Sequence, residues 1–78
     1  LPNRLRWLLP PDTERWIGFH ETEIVAEVWP KGIKGNRIEH WVWLLKQSNL
    51  SGHVPGTGDD DLDMRAAQKY AADAFFEI

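Results

Sequence analysis

The hydrophobic and polar positions of this 78-residue chain change period twice. From Trp16 onward, "WIGFH" and "EIVAEVWP" are rich in β-branched and aromatic residues, which suit a pleated and partly buried surface. The second stretch sets Ile24, Ala26 and Val28 on one face and Val25, Glu27 and Trp29 on the other. No strong turn signal separates the two, so one bent strand and two strands both fit. "PKGIKGN" carries two glycines and an asparagine after a proline that cannot donate to a ladder, and it predicts a hairpin loop. "RIEHWVWLLK" then alternates Ile38, His40, Val42 and Leu44 with Glu39, Trp41, Trp43 and Leu45. Both sets are partly apolar, which predicts a central strand. "LSGHV" predicts a short edge strand before Pro55.

The period lengthens after "GTG". At about 100° per residue, Ala66, Ala67, Tyr70, Ala71, Ala74, Phe75 and Ile78 share one face of a C-terminal helix, and Phe76 falls outside it. Residues 1–15 hold three prolines and no sustained period; they read as an N-terminal arm that docks Trp7, Leu8 and Leu9 on a single 16–78 domain. The expected architecture is α+β, a small antiparallel β-meander of three to four strands with one C-terminal helix packed on one face. In that arrangement the second sheet face displays Trp residues that the arm or another chain must cover.

Composition narrows the chemistry. Five Trp and three Phe in so short a chain predict an aromatic core, because at this size about 60% of the unfolded chain's surface is removed on folding and large side chains carry most of it. The absence of cysteine excludes disulfides, thiolate nucleophiles and Cys-ligated metals. No run of 18 apolar residues occurs, so a soluble, cytoplasmic protein without a membrane partner is expected. The net charge of −3 opposes non-specific nucleic-acid binding by the whole chain.

Each candidate site has an ordinary structural counterpart. Asp59, Asp61 and Asp63 alternate as a calcium loop begins, but the sixth and twelfth positions hold Met64 and Tyr70, and N-capping by Asp60 or Asp61 accounts for the acids. His20, His40 and His53 lack the short spacing of a zinc site, and Ser48 and Ser51 lack a nucleophile elbow. No cofactor, metal or catalytic residue is therefore expected. Lys31, Lys34 and Arg37 gather on the hairpin as a candidate phosphate-contacting tip. Trp41, Trp43 and Phe76 are the candidate partner-binding residues, since excess aromatic area points to another protein or to self-association.

"MRAAQKYAA", with "GTG" before it, resembles the closing helix of the double-stranded RNA-binding domain; Arg65, Ala67, Ala71 and Ala72 fall in register with that family's pattern. The resemblance implies a β-β-β-α order and RNA contact at the helix start. Asp59, Asp60, Asp61, Asp63 and Met64 stand where the family sets lysines, with Gln68 in place of the inner one, and carboxylates there repel phosphate. "VAEVW", "HWVWLL" and "AAQKYAADAFF" give a looser resemblance to short bacterial and phage-encoded proteins of unknown function with a Trp-rich meander. The expected function is a non-enzymatic protein-interaction or structural domain, with weak RNA binding through residues 31–37 as the alternative.

Overall fold

The computed structural model describes residues 4–77. Five strands, β1 (Arg6–Leu8), β2 (Trp16–His20), β3 (Glu23–Lys34), β4 (Arg37–Leu45) and β5 (Ser51–Pro55), precede one helix, α1 (Asp60–Glu77). The strands form one antiparallel meander in the order β1-β2-β3-β4-β5. Helix α1 crosses one face and packs on β4, β3 and β5. The α+β fold follows the pattern of the sequence, with one strand more than expected.

That extra strand comes from the arm. Residues 6–8 pair with Phe19, Gly18 and Ile17, and Leu5 enters the core at 8% exposure. Trp7 packs on the core as expected, whereas Leu8 and Leu9 remain 55% and 39% exposed. Beyond β1, the Thr13 N–H and hydroxyl both donate to Pro10 O, closing a turn in which Asp12 takes φ 65°.

The register explains which residues reach the helix. Glu21 and Thr22 make a two-residue turn between β2 and β3, so the bent-strand alternative is replaced by a hairpin. Pairing passes from Gly18↔Ala26 to Phe19↔Ile24 and leaves Val25 as an extra residue, a β-bulge. Val25 and Ala26 are therefore both buried in the same core cluster, where strict alternation had placed them on opposite faces. Strand β3 also runs further than expected, to Lys34, with the turn at Gly35 and Asn36. Pro30 is tolerated because β2 pairs with β3 only as far as Val28, so one side of the strand has no ladder to feed there.

Two linked clusters form the core. Leu5, Val25, Ala26, Leu45, Ala71 and Ala72 make one; Val28, Trp41, Val54 and Ala67 make the other. Trp7 and Trp43 pack against both, and Trp16 joins the second. Four of the five Trp thus serve the helix-covered face. Alanines at 67 and 71, fully enclosed, let α1 settle onto those large rings. The buried helix stripe runs through Asp63, Ala67, Ala71 and Ala72, rotated from the expected one, and leaves Tyr70 53% exposed.

The helix start is also built differently. Asp59, one residue before the expected caps, accepts from the Leu62 N–H at 3.1 Å. Asp63, 2% exposed, accepts from the Thr57 N–H and hydroxyl, each at 2.8 Å. These bonds tie "GTG" to the first helical turn.

Candidate functional site

Among the described residues, no layer covers the face of the sheet opposite α1. Cross-strand pairing assembles it in rows: Arg6, Phe19 and Ile24; then Leu8, Ile17, Glu27, Leu44 and Ser51; then Trp29, Val42 and His53; then Lys31, His40 and Pro55. Leu8 and Ile24 are 55% and 45% exposed, and Ile17, Phe19, Trp29, Val42 and Leu44 are half-buried. The alternation that turns Trp41, Trp43 and Leu45 toward the helix side displays Val42 and Leu44 on the other.

Glu27 lies at the centre of this apolar field and is only 8% exposed. Arg15 Nη1 donates to Glu27 Oε1 at 2.9 Å, and Lys46 Nζ stands 2.7 Å from Oε2. The Lys46 bond, aided by Arg15 and opposed by burial, holds the Glu27 carboxyl below its ordinary value. Arg15 also lies 4.2 Å over the Trp29 ring, and Arg6 lies 5.2 Å over that of Phe19. Among the described residues the face carries four cations, Arg6, Arg15, Lys31 and Lys46; Glu27 pairs with two of them, and Asp12 and Glu14 line a cleft with Arg15 and Trp29 at its rim.

The fold separates the residues singled out in the sequence. Lys34 and Arg37 flank the hairpin turn as a cross-strand pair, while Lys31 lies across from His40 on the open face. Arg37 is turned toward the helix entry: its Nη2 lies 3.5 Å from Gly56 O, and the guanidinium approaches Gly58. Trp41 is 6% exposed beneath α1 and has almost no surface for a second chain; Trp43 packs on the same side. The Trp left on the open face is Trp29. Phe76 packs edge-on to Phe75 and His20, with centroids 5.0 and 5.4 Å away. Those three rings border a cleft of about 490 Å³ floored by Val25 and Leu45, with Gln47 and Ser48 at its rim.

Sequence reasoning missed Glu27, Trp29 and Lys46. One signal was present: a carboxylate inside "VAEVW" requires a partner if the strand is buried. Its cations are 12 and 19 positions away in sequence, and only strand pairing brings them together. Among the described residues no three His, Asp or Glu side chains gather as a metal centre. No helix there is long and apolar enough to cross a membrane. No protein-family model, curated protein or solved structure matches this chain.

Proposed function

We propose that this chain is a non-enzymatic protein-interaction domain whose open sheet face seats an apolar, acid-flanked surface of a partner protein. The observation that carries this reading is the row Leu8, Ile17, Glu27 and Leu44, in which the one carboxylate is already neutralised by Arg15 and Lys46. Apolar side chains supply the area that rewards docking, and the surplus cations set the preferred charge of the incoming surface. A second copy is a poor occupant: face-to-face pairing would bring the same four cations into one low-dielectric layer. Docking on the face is also favoured over strand addition, since the edges are blunted. Strand β1 has three residues, β5 ends at Pro55, and the unpaired side of β3 carries Pro30 and a left-handed Gly32 at φ 79°. Glu27 and Asp63 are engaged in structural bonds, which supports binding over catalysis.

A photo-crosslinking side chain at Val42, compared with one at Tyr70 on the exposed side of α1, tests the proposal in the cells that make the protein. A discrete adduct from position 42 that is absent from position 70, is weakened by Leu44→Lys, and maps to an Asp- or Glu-flanked apolar segment is the expected result. Equal adducts from both positions, or nucleic acid as the attached species, would overturn it.

A further inference from the structure

We propose that His40 and His53 form a two-histidine site for a divalent late first-row cation, zinc or nickel in character. The residues come from adjacent strands: His40 pairs with Pro55 and His53 with Val42, so the two imidazoles are diagonal neighbours on the open face. Their ring centroids are 5.4 Å apart with planes at 52°. Two imidazoles bound to one ion through nitrogens about 2.0–2.1 Å from it, at a tetrahedral angle, bring their ring centroids to roughly 5 Å. The separation set by the strand register already matches that requirement. His53 is exposed and His40 half-buried, so an ion reaches both without opening the fold.

The donor set selects the class of ion. Imidazole suits zinc, copper and nickel and has little affinity for magnesium or calcium, which take oxygen ligands. With two protein ligands the remaining coordination positions go to water, which makes this an open surface site. Lys31, opposite His40 on β3, is a charged neighbour and opposes the ion. His20 is no part of it; its ring packs against Phe75 and Phe76. Sequence spacing hides the pair because thirteen positions and a turn separate the two histidines, and the β4–β5 register alone aligns them.

The test is urea denaturation of the full chain at neutral pH with increasing Ni²⁺, Zn²⁺ or Mg²⁺, read as the metal-dependent increment for each variant. An ion at a hundred times its dissociation constant raises the folded-to-unfolded ratio about a hundredfold. That increment is expected with Ni²⁺ and Zn²⁺ and absent with Mg²⁺. His40→Asn and His53→Asn should each weaken the apparent affinity at least about tenfold, His20→Asn should leave the increment intact, and Lys31→Gln should tighten binding roughly two- to fivefold. In a parallel NMR titration, substoichiometric Cu²⁺ should broaden resonances around His40 and His53 first. No increment in the wild type, an increment that survives both single substitutions, or broadening centred elsewhere would overturn the proposal.

Discussion

The indole of Trp43 lies over Gly52 on the neighbouring strand so closely that a Cβ at position 52 would stand 2.7 Å from ring atom Cζ2. Trp7 covers Gly18 in the same way: a Cβ there would stand 2.8 Å from the indole and 3.2 Å from the Ala26 methyl. Each glycine makes room for a ring lying on the sheet, and each ring restores the packing that a bare glycine lacks. Gly52→Ala is expected to lower stability by about 1–3 kcal/mol through overpacking, and Trp43→Leu in the same chain should remove most of that increment. Urea midpoints of the two single variants and the double variant give the coupling directly.

Glu27 makes stability depend on pH. Its folded carboxyl titrates below the ordinary value of 4.5, so its contribution is fully present above that value and is lost as pH falls through the lowered one. Glu27→Gln should cost about 1–2 kcal/mol at pH 7, a modest figure because Arg15 and Lys46 remain half in water. The gap between wild type and variant should close as pH falls through that lowered value. A gap that persists unchanged there would show that Glu27 acts through packing alone.

Trp41 Nε1 is buried with no hydrogen-bond partner among the described residues. Trp41→Phe removes that donor while keeping most of the ring, and lost area and relieved desolvation should nearly cancel, leaving a cost under about 1 kcal/mol. Trp41→Ala should cost about 3–5 kcal/mol, because it opens a cavity against Val28, Val54 and Ala67. Denaturant unfolding followed by far-UV circular dichroism separates the two.

The acids at the helix start have unequal roles. Asp63→Ala leaves the Thr57 N–H without its partner and should cost about 1–3 kcal/mol. Asp59→Ala removes the bond to Leu62 N and should cost about 1 kcal/mol, while Asp60→Ala, with an exposed side chain, should change stability by less than about 0.5 kcal/mol. Thermal midpoints in the order Asp60→Ala, Asp59→Ala, Asp63→Ala, highest to lowest, are the expected outcome.

Local order determined much of this fold. Alternation in "RIEHWVWLL" and the three-to-four spacing of alanines after Asp63 act over a few residues, so strand, helix and meander were legible before any contact was known. The same alternation already separated Trp41 and Trp43 from Val42 and Leu44. What it left undecided was which of the two faces the helix takes, because both are apolar enough to be covered.

Tertiary structure made that choice and those that depend on it. The helix took the side that holds Trp41, Trp43, Trp7 and Trp16, so the face left in water is mainly aliphatic, with Phe19 and Trp29 and the cations Arg6, Arg15, Lys31 and Lys46. The bulge at Val25 could not be read from period, since one extra residue alters pairing and not composition. Arg6–Leu8 became a strand only because Ile17, Gly18 and Phe19 offered a free edge. The Arg15–Glu27–Lys46 cluster and the His40–His53 pair likewise depend on register across strands. Sequence neighbours set the period of a segment; what a side chain finally faces is set by residues many positions away, brought near when the sheet closes and the helix lies down on one side of it.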